Sequence, residues 1–309
     1  MSSRTLPTRA RRLHPEMSFF DSADVVVVGL GAAGASAAIE AAARGAEVLV
    51  LEAASAGGGT TAMAGGLIYM GGGTPTQTAC GITDSTEAMY EYLLRASGPN
   101  ADPERVRLYC DGSLAHYDWL LAQGMEYKPE YYAKKSTNTP RDEGLIYTGN
   151  ETCNEFRAHA APAPRGHKGK AQGEDGGRML MEKLIASATA RGVRIRCDAR
   201  ALTAIVDEAG AVVGVVARID GEERCIRARR GVVLCAGGFI MNSDMVQRHA
   251  PHLLQQTVLN GNPNDNGMGI RIGMGAGAAV LNMHEGFACL PLYPPAELVE
   301  GIMVNSKGQ

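Results

Sequence analysis

The chain has 309 residues, of which 45% are hydrophobic and 20% charged, and its formal net charge is -3. This is an ordinary globular composition, with length for one large domain or two smaller ones. The basic residues are scattered along the chain, which excludes the long basic face typical of nucleic acid binders. Because no run approaches the roughly 18 apolar residues of a membrane helix, we expect no transmembrane segment.

The seven cysteines are widely spaced and contain no C-x-x-C pair. This spacing is unlike the disulfide framework of small secreted domains, and it favours a reducing, cytoplasmic location. Arginines occur near the N-terminus, but no apolar segment of a signal peptide follows them. We expect residues 1–22 to form a disordered tail, with Met17 as an alternative start.

A β-α-β unit follows this tail. Residues 25–28 are a run of valines typical of a strand that is buried on both faces. The alanine-rich segment 33–44 predicts a helix, and Gly45 stands where a left-handed cap would end it. A second strand is predicted over 47–51, so the unit spans roughly 30 residues.

Less regular segments and packing helices come next. Residues 53–81 are rich in glycine and lack a clear period, which indicates backbone that passes close to a partner. Helices are predicted over 86–96, 103–123 and 178–191. Residues 131–175 are polar and aperiodic, and they predict a long excursion over the surface or over a site.

A second landmark is a series of short β-rich runs, which predicts an antiparallel β-meander. The runs are 193–197, 202–206, 212–219 and 224–227. Asp220-Gly221 predicts a hairpin turn between the last two. The meander is inserted before an apolar strand predicted over 231–235, and a glycine-rich turn and helix follow at 264–276.

The string G-L-G-A-A-G at residues 29–34 follows the first strand and opens the first helix. In such a fingerprint Gly29 makes the tight turn, Gly31 lets the backbone approach a pyrophosphate, and Gly34 lets helix and strand pack closely. The helix N-terminus supplies free N–H groups for the phosphates. Glu52, at the end of the second strand, can accept both ribose hydroxyls, so the unit predicts a dinucleotide site.

The fingerprint alone does not distinguish FAD from NAD. Residues 57–66 offer small side chains and two threonine hydroxyls, which suits a wall against a long flat ligand and favours FAD. A flexible surface loop is the alternative interpretation of this segment. Residues 232–238 end a buried strand on small residues, as expected at the switch region of the sheet, although an ordinary glycine turn would look the same.

Six segments carry a family resemblance: GLGAAG with VLVLE, GGGTTAMAGGLIYMGGGTP, APAPRGH, RARRGVVLCAGGF and GIMVNSKGQ. They resemble the fumarate reductase and succinate dehydrogenase flavoprotein superfamily, and more closely its 3-ketosteroid dehydrogenases of the 4-ene-forming type. The resemblance implies an α/β fold, with a Rossmann-like FAD-binding domain over 23–290 that combines a parallel sheet and an inserted antiparallel β-meander. Residues 291–309 would begin a substrate or cap domain that is largely missing.

The resemblance also implies a cofactor site. It assigns FAD contacts to Gly29, Gly31, Ala32, Ala33, Gly34, Glu52, Ala53, Gly59, Thr60, Thr61, Gly65, Gly66, Ala201, Ala236, Gly237 and Asp265. Several respiratory relatives attach FAD covalently through a histidine just before the threonine-rich loop. Because this chain has Gly59 there, we expect noncovalent FAD. No set of residues with metal-ligand spacing was found, so no metal is expected.

The resemblance implies dehydrogenation, or the reverse reduction, of a carbon–carbon bond next to a carbonyl. The expected partners are a small-molecule substrate, favoured as a 3-ketosteroid, and an unknown electron acceptor, with no nucleic acid. The catalytic tyrosines of the family would lie beyond Gln309, so no catalytic residue is predicted. The alternatives are a fumarate-type reductase, a truncated flavin-binding fragment without catalysis, and an NAD dehydrogenase.

Overall fold

The computed structural model describes residues 7–134, 136–255, 258–259, 261–286 and 307–308. Most of the segment predicted to begin a cap domain, 291–309, lies outside the described residues. The described part of the chain divides into two compact units. The first unit contains residues 7–63 and 181–286, and the second contains 64–180 with 307–308.

The strands and helices are numbered in chain order. The strands of the described residues are β1 Arg11–Arg12, β2 Asp21–Val28, β3 Val48–Leu51, β4 Leu67–Tyr69, β5 Tyr131–Tyr132, β6 Leu145–Ile146, β7 Gly166–Lys168, β8 Arg194–Arg196, β9 Ala199–Val206, β10 Val212–Ile219 and β11 Glu222–Leu234. The helices are α1 Ala32–Ala43, α2 Gly59–Met63, α3 Pro75–Ala79, α4 Thr86–Ala96, α5 Pro103–Asp111, α6 Ser113–Ala122, α7 Asn154–Arg157, α8 Gly176–Ala190, α9 Ser243–His249 and α10 Met268–Gly275, with a 3₁₀ turn at Pro251–Gln255.

The first unit is built on a seven-stranded sheet with the order β1-β9-β10-β11-β2-β3-β8. Strands β11, β2, β3 and β8 are parallel to one another, whereas β9, β10 and β11 are antiparallel. Strand β11 therefore belongs to both parts of the sheet. The predicted α/β fold, a parallel sheet with an inserted antiparallel meander, is confirmed.

Aliphatic side chains from both parts of this sheet share one core. Val26, Leu49, Val215, Ile226 and Ile272 belong to the same buried cluster, and none is more than 2% exposed. Burial of each large aliphatic side chain contributes about 1.5–3 kcal/mol. The uninterrupted valines of β2 are thus explained, because both faces of this strand are covered by other elements.

Strand β11, the last strand of the meander, is longer than the sequence indicates. The runs 224–227 and 231–235 were predicted as separate strands, but β11 is continuous and has a register shift between Ala228 and Gly231 where it pairs with β2. An irregularity of this kind keeps the ladder going while the strand changes direction. Asp220 and Gly221 both have positive φ, 53° and 81°, as the predicted hairpin turn requires.

The N-terminal segment differs from the predicted disordered tail. Strand β1 pairs in parallel with the edge strand β9. The Leu13 N–H donates to the Val206 carbonyl at 2.8 Å, and the Thr8 N–H donates to the Arg271 carbonyl at 3.1 Å. An open sheet edge offers unpaired backbone groups, and these bonds order a segment whose composition alone suggests a loose tail.

The second unit contains a small sheet with the order β4-β7-β6-β5. Three of its strands lie within 131–175, the segment predicted as an aperiodic excursion, and the fourth lies within 53–81. Strands of two or three residues are too short to show a period, so pairing alone defines them. The single helix predicted over 103–123 is two helices, α5 and α6, which meet at Gly112.

Candidate dinucleotide site

A cavity of ≈ 290 Å³ lies in the first unit, where β2, β3 and β11 end. The carboxyl ends of parallel strands are where α/β proteins usually bind their ligands. Its lining includes these predicted contacts: Gly29, Gly31, Ala32, Ala33, Glu52, Ala53, Gly59, Thr60, Thr61, Ala201, Ala236, Gly237 and Asp265. Gly34 does not line the cavity, and Gly65 and Gly66 belong to the second unit.

The three glycines of the fingerprint have different structural roles. A Cβ at Gly29 would lie 2.4 Å from the Cys235 carbonyl oxygen, and one at Gly34 would lie 1.9 Å from the Gly29 carbonyl oxygen. Both positions therefore need glycine for the fold itself. A Cβ at Gly31 would meet nothing nearer than the Thr61 hydroxyl at 3.7 Å. Gly31 thus leaves open space beside the backbone, which is what a closely approaching pyrophosphate requires.

The N-terminus of α1 faces this space. Gly31 is the N-cap residue and supplies no side-chain cap, and the first turn of the helix contains no acidic residue. The Ala32 N–H donates to the Thr61 hydroxyl at 3.3 Å. The helix dipole and the first-turn N–H groups together favour a bound anion such as a phosphate.

Glu52 is held in place by backbone donors. Its Oε2 accepts the Leu30 N–H at 2.7 Å, and its Oε1 accepts the Ala54 N–H at 2.8 Å. The side chain is buried, so these bonds fix its orientation at the end of β3. Each carboxylate oxygen has a second lone pair, and both oxygens can therefore still accept a ribose hydroxyl.

A polar loop, residues 262–266, forms another part of the wall. Asp265 Oδ2 accepts the Asn262 N–H at 3.0 Å and also accepts the Thr60 hydroxyl. A Cβ at Gly237 would lie 2.2 Å from Asp265 Oδ1, so that glycine makes room for the carboxylate. Thr60 and Asp265, 205 positions apart in the chain, thus meet at the cavity.

Sequence reasoning missed several lining residues. They are Val28, Leu30, Leu51, Ala54, Ala199, Arg200, Leu234, Cys235, Asn262, Asn264, Asn266 and Met268. The asparagine-rich string N-P-N-D-N was the available signal, because such strings form polar turns beside ligands. Arg200 gave no signal, since an arginine in a β-rich run resembles any solvated side chain.

The lining bears on how a cofactor could be attached. No histidine lies among the described residues that line the cavity. Cys235 is the one thiol among the described lining residues, and burial raises its pKa, which disfavours the thiolate. The residues present therefore fit an adenosine diphosphate moiety held by N–H groups, by Glu52 and by close backbone approach.

Comparisons with known proteins agree with this geometry. The family described as FAD binding domain matches residues 24–309. The 3-oxo-5-alpha-steroid 4-dehydrogenase of Comamonas testosteroni is 34% identical over 221 residues, which cover 70% of this chain and 41% of that protein. The fumarate reductase (cytochrome) of Shewanella frigidimarina is 28% identical over 285 residues, which cover 92% of this chain and 44% of that protein.

Solved structures agree as well. The 3-ketosteroid-delta4-(5alpha)-dehydrogenase of Rhodococcus jostii RHA1 is 43% identical, with a TM-score of 0.86, and the match covers 89% of this chain and 58% of that one. A flavocytochrome c3 fumarate reductase in an open conformation is 26% identical, with a TM-score of 0.68, over 85% of this chain and 42% of that one.

The chain spans about half the length of these relatives. Among the described residues, none of the helices combines the length and the hydropathy needed to cross a bilayer. The matched residues begin one position before the first valine of β2 and include every predicted cofactor contact. The chain therefore belongs to the FAD-binding domain family, and FAD is its cofactor.

Proposed function

We propose that this protein is an FAD-dependent oxidoreductase that dehydrogenates, or in reverse reduces, a carbon–carbon bond next to a carbonyl. The observation that carries the proposal is the cavity at the end of β2. There the uncapped N-terminus of α1 and the fixed carboxylate of Glu52 meet an open backbone at Gly31. This arrangement suits the adenosine diphosphate half of FAD.

Each part of the cavity has a separate task in binding. The N–H groups of the first turn of α1 neutralise the pyrophosphate, and Glu52 accepts the ribose hydroxyls. Ala201, on the meander strand, supplies backbone contacts to the adenine, while Asp265, Ala236 and Gly237 lie on the side of the cavity formed by β11. These residues bind and orient the cofactor, and FAD supplies the hydride acceptor.

A 3-ketosteroid is the substrate class we favour. The steroid 4-dehydrogenase of Comamonas testosteroni and the ketosteroid dehydrogenase of Rhodococcus jostii RHA1 support it through their 34% and 43% identity. A 3-ketone acidifies the neighbouring C–H, so a base can remove that proton while hydride leaves the β-carbon. We assign no residue of this chain to the base.

The test of this proposal is direct. The purified chain is titrated with FAD, and the visible flavin absorbance of the protein fraction is recorded after gel filtration. A saturated 3-ketosteroid is then added without oxygen, and bleaching of the flavin is followed, with the 4-ene product measured by mass spectrometry. We expect stoichiometric flavin, and any bleaching should follow addition of the ketosteroid and not of the corresponding 3-hydroxysteroid. A protein that stays colourless after FAD is added would refute the proposal.

Noncovalent attachment of FAD is part of the proposal. It is supported by the described residues of the lining, which include no histidine, and by the burial that raises the pKa of the Cys235 thiol. After denaturation with acid, all flavin should appear in the supernatant and none in the precipitate. Flavin that stays with the denatured chain would contradict this attachment.

A second candidate is a reductase of the fumarate type. It is supported by the 28% identity to the fumarate reductase of Shewanella frigidimarina, which extends over 92% of this chain. Reoxidation of the reduced flavoprotein by fumarate, with no response to a ketosteroid, would favour it. A chain that binds FAD but responds to neither compound would be a flavin-binding protein without this catalysis.

A further inference from the structure

One cation stands apart from the predicted contacts. Arg200 is the only arginine, lysine or histidine among the described residues that line the cavity. It lies on β9 between Ala199 and Ala201, and its side chain is half-buried. The Arg200 Nη2 donates to Asn264 Oδ1 at 2.7 Å. Because its donor is charged, this hydrogen bond is stronger than one between two neutral groups.

The contact is one link in a continuous chain of hydrogen bonds. The Asn264 N–H donates to Asn262 Oδ1 at 2.8 Å, and the Asn262 N–H donates to the Thr60 hydroxyl at 3.1 Å. Asp265 Oδ2 also accepts from both Asn262 and Thr60. The path thus runs from β9, through the 262–266 loop, to helix α2, and all five residues line the cavity.

The loop has no regular secondary structure of its own. Residues 261–267 lie between the 3₁₀ turn and α10, and both backbone and side-chain bonds hold them. The Met241 N–H donates to the Asp265 carbonyl at 2.9 Å, and the Asn242 side-chain amide donates to the Asn266 carbonyl at 2.9 Å. At the α2 end, Thr60 is exposed, and its hydroxyl donates to the Asp265 carboxylate. At the β9 end, the arginine provides the one charged donor in the path. Arg200 is therefore the contact that ties the Asn264 part of the loop to β9.

We infer that Arg200 and Asn264 form a clasp, which fixes the 262–266 loop against β9 and sets how long FAD remains bound. This inference rests on the proposed use of the cavity for FAD. Arg200 is a positioning residue, since it acts on the cofactor through the loop. Loss of the clasp frees Asn264, and with it the Asn262 side chain to which the Asn264 N–H donates, while the Met241 N–H still holds the Asp265 carbonyl.

The test uses four variants and a matched control. R200M removes the donor, N264A removes the acceptor, and R200M/N264A removes both, while R200K keeps a cation that can still donate. Arg218 pairs with Arg200 across the β9–β10 ladder but is exposed and does not line the cavity, so R218M is the control. The FAD dissociation rate of each is measured by stopped-flow flavin fluorescence, beside the thermal unfolding of the cofactor-free protein.

We expect R200M, N264A and the double variant each to release FAD roughly tenfold faster, because one charge-assisted hydrogen bond is lost in all three. R200K should restore most of the slow release, and R218M should match the wild type. The double variant should be no worse than either single one, which is the mark of a directly coupled pair. Thermal unfolding of the cofactor-free protein should change little.

Hydrogen exchange gives a second measurement that needs no cofactor. In the cofactor-free protein, the amides of Asn262 and Asn264 should exchange faster in R200M than in R218M. Unchanged exchange, or a dissociation rate equal to that of the wild type, would overturn the clasp while leaving FAD binding intact. Additive effects in the double variant would overturn it too. A wild-type chain that binds no FAD would instead refute the proposed function on which the clasp rests.

Discussion

Arg165 and Asp84 form a bidentate ion pair in the interior of the second unit. Arg165 Nε lies 2.9 Å from Asp84 Oδ2, and Nη2 lies 2.7 Å from Oδ1. The side chains are 0% and 1% exposed. Gln77 and the Gly72 N–H also donate to the same carboxylate, so the pair is the centre of a buried polar network. Arg165 belongs to the segment APAPRGH, and the network gives that segment a structural role.

Removal of one partner of this pair should destabilise the protein strongly. D84A leaves the guanidinium buried without its counter-ion, and such a change costs about 3–5 kcal/mol of the free energy of unfolding. The double variant R165M/D84L removes both charges and should be less destabilised than D84A, with the remaining loss due to Gln77 and Gly72, which lose their acceptor. Urea unfolding measures all three proteins. E40Q, which breaks an exposed pair with Arg44, is the control and should leave stability unchanged.

The stability of the protein should depend on His167 between pH 6.5 and 4. Burial lowers the pKa of His167 from 6.5 to about 4, although the hydrogen bond to the Arg165 carbonyl opposes the shift. The ring is fully buried, and its Nε2 lies 2.8 Å from the Thr74 hydroxyl. Below pH 6.5, His167 is protonated in the unfolded chain but stays neutral in the folded chain. The free energy of unfolding therefore decreases as the pH falls toward 4.

The loss over this window approaches about 3 kcal/mol, since one pKa unit corresponds to 1.36 kcal/mol. Urea unfolding at a series of pH values measures it. H167Q should remove this dependence, whereas H252Q, which changes an exposed histidine, should keep it. Asp84 affects stability only at lower pH. Burial raises its pKa, but the hydrogen bond and the charge of Arg165 outweigh burial, so the net shift is downward. The stability that Asp84 contributes is therefore lost only as the pH falls below about 4. A pH dependence of stability between pH 6.5 and about 5 that survives in H167Q would contradict the prediction.

Two glycines of the fingerprint should separate folding from cofactor binding. G31A places a methyl group in open space, so the fold should be kept while FAD affinity falls by about tenfold or more, because the methyl meets the pyrophosphate. G34A forces a methyl group to within 1.9 Å of the Gly29 carbonyl oxygen, so this variant should lose stability before any ligand is added. Thermal unfolding and FAD titration of both proteins check this. Equal unfolding temperatures for G31A and G34A would be the contrary result.

A chain that begins at Met17 should be less stable than the full chain. The truncation removes β1 and its pairing with β9, together with the contacts of Thr8 to Arg271. The exposed edge should also promote association between copies, since unpaired strand edges recruit other strands. Thermal unfolding and light scattering measure the two effects. T8A, which keeps every backbone bond, is the matched control and should behave almost as the wild type does.

The sequence predicted those elements whose formation depends on residues that are neighbours in the chain. The valines of β2, the alanines of α1 and the fingerprint between them identify a β-α-β unit from about 30 neighbouring residues. The clasp has no such signature, because Arg200 and Asn264 are 64 positions apart and only the folded sheet brings them together. Strands β5, β6 and β7 were missed for a related reason, since two or three residues cannot display an alternation.

The hairpin Asp220-Gly221 shows where short signals suffice, because both positive φ values follow from the residue types themselves. The single strand β11 shows where they fail. Its register shift between Ala228 and Gly231 falls at the Ala-Arg-Arg stretch, 228–230, that separated two predicted runs. Pairing with β2 continues on both sides of that shift, which the sequence pattern does not reveal.

Strand β11 also makes the two parts of the sheet thermodynamically dependent on one another. It pairs with β10 near its start and with β2 along most of its length, and it ends at the cavity beside Ala236 and Gly237. A ligand that binds only the folded cavity stabilises everything that must unfold with it. Occupation of the site should therefore slow local opening of the β10–β11 hairpin, so that the turn at Asp220-Gly221, which does not line the cavity, reports on cofactor binding.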